Sequence, residues 1–175
     1  MTFLPTDYKI PKSPSGYMRF EEGLNRIRIL SSAIVGYEYF NQDNKPVRSR
    51  EPFEDVPTDI KKDGKVKAFW AFVVFNYQTK SIQILELTQK SIMIAIKSLV
   101  DNPKWGDPKQ YDIAITKIGE GLDTEYSVQG EPPIAEPDVS IKALFLAKPI
   151  NLEALFDGGD PFAKKMEITK EDMPK

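Results

Sequence analysis

From Phe69 to Phe75 the chain reads FWAFVVF, with no polar side chain on either face. A strand with one solvated face alternates apolar and polar residues, so this one must be covered on both sides. Parallel sheets meet that need with crossover helices, but the next residues, Tyr77–Lys80 (YQTK), are a turn into a second apolar strand, SIQILEL. The pair is therefore an antiparallel hairpin with two covered faces. Trp70, Phe72 and Val74 form one wholly apolar face, which is assigned to the interior. Lys67, Phe69, Val73, Phe75 and Tyr77 form the other, left for outer elements or a ligand to cover.

Upstream, GLNRIRIL (23–30) alternates, with Asn25, Ile27 and Ile29 on one face and Leu24, Arg26, Arg28 and Leu30 on the other. AIVGYEYF continues it as one long, curved strand, with Gly36 marking a bend or bulge. Residues 41–65, with three prolines and little periodicity, read as a long loop of the kind that carries function. TQKSIMIAIKSLVDNP reads as a helix capped by Thr88, with Ile92, Ala95, Ile96, Leu99 and Val100 in its apolar stripe, ending at Asn102-Pro103. Two further strands follow, YDIAITKIG and EYSVQ, the first with Ile113, Ile115 and Lys117 on one face, joined by the Gly-rich turn GEGLDT. Two short helical pieces broken at Pro149, the second capped by Asn151, complete the pattern. This divides into an irregular arm (1–22), a domain (23–130), a linker with short C-terminal helices (131–159) and a flexible tail (160–175). The order strand, long loop, strand, strand, helix, strand, strand is that of a mainly β, five-stranded oligonucleotide/oligosaccharide-binding (OB) barrel, with its helix between strands 3 and 4.

Cysteine and histidine are both absent. Disulfides, thiolate nucleophiles, Cys/His zinc sites and imidazole acid–base chemistry are thereby excluded. No apolar run approaches membrane-span length and the N-terminus has no signal-peptide pattern, so a cytoplasmic protein without membrane contact is expected. Residues 1–117 carry 18 Lys/Arg against 14 Asp/Glu, a net +4. Residues 118–175 carry 6 against 12, a net −6. A mildly basic body suits an anionic ligand.

GYEYFNQDNKPVRS, FVVFNYQTKSIQILELTQKSI and KWGDPKQYDIAITKIGEGLDTEYSV, taken in order, resemble bacteriophage single-stranded DNA-binding proteins of the OB-fold type over roughly Tyr17–Val128. The gene-32 proteins of T-even phages are distant relatives of this type with a zinc-binding insertion, which a chain without Cys or His cannot form. The resemblance implies sequence-independent coating of single strands during phage replication, recombination or repair, in the host cytoplasm, with no catalysis and no cofactor or metal. DGGDPF (157–162) faintly resembles the acidic tail tip of bacterial single-strand-binding proteins, so replication or recombination proteins are expected partners through the C-terminal region.

Single-strand binding needs cations along the phosphates and aromatic faces for the bases. The candidates are Arg26 and Arg28 on one strand face; Tyr37, Tyr39 and Phe40 as stacking platforms; Lys45, Arg48, Arg50, Lys61 and Lys62 in the long loop, with Lys65 and Lys67 at its exit; Phe75 and Tyr77 near the hairpin turn; and Lys117. Each has a structural alternative: solvated strand or loop charge for the cations, packing for the aromatics, and core for Phe75 and Tyr77 if the C-terminal helices lie there. Trp105 reads as a packing plug. Two other functions compete with DNA binding: an OB module for a protein chain or RNA, and a Mg²⁺-dependent nuclease using Asp107, Asp112, Glu120 and Asp123.

Overall fold

A computed structural model describes residues 3–9, 16–132 and 139–163. Seven strands and two α-helices run in the order β1 (Gly23–Ile29), β2 (Ile34–Phe40), β3 (Pro46–Ser49), β4 (Lys67–Asn76), β5 (Ser81–Leu87), α1 (Lys90–Asp101), β6 (Asp112–Ile118), β7 (Glu125–Glu131), α2 (Val139–Ala147). All strand pairings are antiparallel. β4 is central: β5 lies on one edge, and β1 and β2 share the other, giving the path β3-β2-β4-β1-β6-β7.

The mainly β class and the place of the helix agree with the sequence pattern, while the expected closed five-stranded barrel becomes an open seven-stranded sheet. Two extra strands account for the count. The expected long first strand is broken at Leu30–Ala33, where the Leu30 N–H donates to the Val73 carbonyl and the Ser31 hydroxyl accepts from the Val73 N–H. β1 therefore pairs with the C-terminal half of β4, and β2 with its N-terminal half. Gly36 is not the bend. It sits in register with Phe69, and a Cβ there would lie 2.4 Å from the Ser49 carbonyl oxygen, so close backbone approach demands glycine. The extra strand β3 arises inside the expected loop, because Asn44, at φ 62°, turns the chain back so that Pro46–Ser49 pairs with β2.

The alternation read in β1 holds. Ile27 and Ile29 join Phe72, Val74, Leu85, Leu87, Ile113 and Ile115 in the main core, with α1 laid across it through Ile92, Met93 and Ile96. Trp70 packs at the margin of this core and stays half-buried, rather than wholly interior. Gln89 replaces Thr88 as the residue before α1, with no side-chain cap, and Val100 faces solvent where a stripe residue was expected. Trp105 packs against Tyr111, ring centroids 5.0 Å apart.

The outer face of β4 is covered by the chain's own C-terminal segment. Phe69, Ala71 and Ile84 meet Leu155, Phe156, Ile150 and Leu152, while Val73, Phe75 and Ile82 meet Ile141 and Phe145. Asn151 precedes the 3₁₀ turn Leu152–Leu155 as expected, but through its backbone carbonyl, which accepts from Ala154. The described part of the N-terminal arm is also ordered against the sheet: Met18 donates to the Ile84 carbonyl and Ile84 to the Gly16 carbonyl, closing the free edge of β5. The tail expected at 160–175 is described only to Ala163, and there Phe162 packs edge-on against Tyr17. The linker at 133–138 and residues 164–175 lie outside the described residues.

Candidate nucleic-acid interface

Side-chain alternation and register place Phe40 and Glu38 of β2, Pro46 and Arg48 of β3, Lys67 of β4 and Glu86 of β5 on the outer face, beyond the end of the C-terminal cover. Phe40, at the end of its strand, is 44% exposed. It borders two clefts. One, of about 620 Å³, is lined by Phe40, Asn44, Lys61, Lys65, Lys67 and Thr88, with Glu38 and Asp63 also on its wall. The other, of about 520 Å³, lies between the N-terminal arm, the β2–β3 hairpin and the C-terminal cover, and takes in Tyr17, Lys45, Arg48 and Glu86.

The lysines arrive there for local reasons. Asn41 binds the turn that positions Lys45, its carboxamide oxygen accepting from the Asp43 and Lys45 N–H groups. Lys61 is fixed beside Phe40 because its N–H donates to the Phe40 carbonyl (2.8 Å) and its ammonium to Asn44 (2.9 Å). Among the described residues no carboxylate lies within ion-pair distance of Lys45, Lys61, Lys65 or Lys67. The patch thus keeps its positive charge.

Arg48 behaves differently. Its side chain is 9% exposed and crosses the Phe69 ring at 5.5 Å, with Nε donating to Glu38 (2.8 Å) and Nη2 donating to both Glu86 oxygens (3.0 Å). One cation between two carboxylates leaves a local excess of negative charge. Burial pushes the Glu86 carboxyl above the usual carboxylate range, against the opposing pull of Arg48 and with some help from Glu38.

Several other sequence candidates are packed or paired: burial corrects the surface roles expected of Arg28, Tyr39 and Phe75, while Arg26 and Arg50 stay partly exposed in ion pairs. Arg28 is buried against Asp112, and Tyr77 donates to the same carboxylate at 3.0 Å. Burial lowers the Arg28 pKa, but the hydrogen bond and charge of Asp112 outweigh it and the net direction is up. Burial and Asp112 likewise raise the Tyr77 phenol. Arg26 is half-exposed and paired with Glu131 at 2.8 Å. Tyr39 is buried, its hydroxyl on Asp59 (2.9 Å) and its ring against Phe53, and the Asp59 hydrogen bond raises its pKa. Phe75 is core. Arg50 lies over the Phe156 ring (4.4 Å) and pairs with Glu153, fastening the cover. Tyr37, half-buried, faces the opposite side of β2 from Phe40; Lys62 is exposed beside Lys61 without lining either cleft; and Lys117 sits half-buried in β6, away from the patch.

The gathered set is therefore Phe40, Lys45, Lys61, Lys65 and Lys67, all sequence candidates. Sequence reasoning missed Tyr17 and Glu86, because only the arm's pairing to β5 and the reach of Arg48 bring them to the cleft. Of the four acids of the nuclease alternative, Asp112 is occupied by Arg28 and Tyr77, and Asp107 accepts the Lys109 N–H. Among the described residues no three carboxylates gather to hold a metal ion, and no helix is long and apolar enough to cross a membrane.

No family model matches the chain, and no solved structure does. The chain is similar to a probable ssDNA-binding protein of Escherichia phage T5, 28% identical over 140 residues, which cover 65% of this chain and 54% of the relative. It thus spans about half the length of that curated relative.

Proposed function

We propose that this protein binds single-stranded DNA without reading its sequence, protecting strands exposed in phage replication, recombination or repair in the host cytoplasm. The observation that carries the reading is the Phe40 ring standing open among Lys45, Lys61, Lys65 and Lys67 on one sheet face. A stacked base contributes about 1–3 kcal/mol whatever its identity, and lysines without carboxylate partners are free to take the phosphates. The similarity to the phage T5 protein supports the same ligand. The β-sheet with its helix after the fifth strand supports an OB-type scaffold opened and extended by β3. Partner proteins would be recruited through the C-terminal region, residues 157–162 among it.

Fluorescence anisotropy with a labelled mixed-sequence oligonucleotide tests it. Single strands should bind much more tightly than duplex, with log affinity falling against log salt by about 0.7 per phosphate neutralised. Equal affinity for duplex, or salt-insensitive binding, rejects the proposal.

A further inference from the structure

An acid in a site built for a polyanion needs a reason. Glu86 is 27% exposed and opens into the 520 Å³ cleft that also holds Phe40, Lys45 and Tyr17. A structural role alone does not require it there, since Glu38 already neutralises Arg48 from a more buried position. The cleft lies in the size range of small-molecule sites. Its two aromatic residues come to one face of the sheet from opposite flanks of β4: Tyr17 from the arm beside β5, Phe40 from β2. Tyr17 is anchored by the Phe162 ring at 5.5 Å, and Gly16 beside it has no room for a Cβ, which would lie 2.5 Å from that ring. The arm is thus held in place, and with it one wall of the cleft.

The Glu86 carboxylate spends one acceptor position per oxygen on Arg48 Nη2 and retains unused lone pairs. In such a cleft a carboxylate accepts from an amino group on a base edge, and cytosine N4 is the amino donor that Asp and Glu accept. Thymine offers a carbonyl at the same position and would face the carboxylate oxygen to oxygen.

We propose that this cleft is a base subsite, in which one base of the strand lies against Phe40 and Tyr17, its phosphate near Lys45, and its exocyclic amino group donates to Glu86. The inference rests on the single-strand reading above and deepens it: the strand is bound without sequence readout at the lysine patch, with a preference for amino-bearing bases over thymine at this one position.

The test compares labelled oligo-dC and oligo-dT, two weakly stacked strands, at pH 7.5, with the wild type and with Glu86→Gln. The wild type should prefer dC by about tenfold, the low end of the scale of one hydrogen bond to a charged acceptor. Glu86→Gln keeps an oxygen for Arg48 but adds an amide donor suited to thymine, so its ratio should fall within twofold. Thermal melting checks that the variant folds. Phe40→Ala, an exposed position that folding does not depend on, should weaken both strands together. A strand of N4,N4-dimethylcytosine, which keeps the ring but has no N–H, should bind the wild type like dT. Binding of all strands with equal affinity, unchanged in Glu86→Gln, overturns the base subsite and leaves the single-strand reading standing. Failure of every strand to bind overturns both.

Discussion

The outer face of β4 is one surface with two fates. Toward Asn76 it carries Phe69, Ala71, Val73 and Phe75, all buried under the C-terminal segment. Toward Lys67 the cover ends, and the same face continues as Lys67, Glu38, Arg48 and Phe40. Residue type changes where the covering stops, so the apolar run marks a packing surface and the lysines beyond it mark a free one. Charge alone does not separate the two. Arg28 and Arg48 are as cationic as any lysine here, yet both are withdrawn into ion pairs. A planar guanidinium with several donors suits a buried carboxylate, whereas a strongly hydrated ammonium stays in water.

The covered half should break hardest. Phe69→Ala removes a fully buried ring that touches Phe156 and supports Arg48, and should cost about 3–5 kcal/mol in a denaturant melt. Asp112→Ala should cost a similar or slightly smaller amount, about 3–5 kcal/mol, because it strands the Arg28 charge and the Tyr77 hydroxyl inside the protein. For the same reason Arg28→Ala should destabilise, whereas an arginine on a solvated strand face would be replaced at little cost. If Arg28→Ala melts with the wild type, the pair is not buried in solution and the contrast between the two arginines fails.

How much of this was legible in the sequence follows the same division. Alternation in β1, the unbroken apolar run of β4 and the helical spacing of α1 are short-range patterns set by burial, and they located the interior faces except at Trp70, which is half-buried, and Val100, which faces solvent. The cover was legible as a need, since Phe69–Phe75 has no polar side, but the residues that meet the need lie about 70–85 positions downstream and share no pattern with it. β3 was hidden because its strand character comes from pairing with β2, in a segment whose prolines and charges read as loop. Among the site candidates, Lys45, Lys61, Lys65, Lys67 and Phe40 share a surface because β2 and the chain after β3 return to it. Arg48 and Arg28 could not be told from them by residue type. Only the acids opposite, Glu38, Glu86 and Asp112, decide their state, and none is a sequence neighbour.

The open half should respond in affinity and not in stability. Lys61→Ala, Lys65→Ala and Lys67→Ala combined should weaken single-strand binding by more than tenfold at low salt and flatten the salt slope by about 0.7 for each phosphate no longer neutralised. Being exposed, the three should shift unfolding by no more than about 0.5 kcal/mol each. Arg26→Ala, half-exposed and tied to Glu131, should change neither much. A larger loss from Arg26→Ala than from the lysine triple would move the interface from the outer face of β2–β4 to the β1–β7 side.

The smallest effect sits at the seam of the two halves, where Glu86 meets both Arg48 and the open cleft. Burial raises its folded-state pKa above that of the unfolded chain, so on acidification the folded protein takes up this proton first. The stability this group contributes is therefore fully present below its unfolded pKa and is lost as the pH rises through its folded one. Glu86→Gln removes that ionisation and keeps an oxygen for Arg48. The melting temperature of the variant, relative to wild type, should then be higher at pH 7.5 than at pH 4.5. Other carboxylates titrate in the same window, but they are common to both proteins and cancel in the difference. A difference of opposite sign would mean that Arg48 holds Glu86 ionised more strongly than burial opposes it. Glu86 would then belong with the covered half of the face, as a buried ion-pair partner, and not with the open cleft.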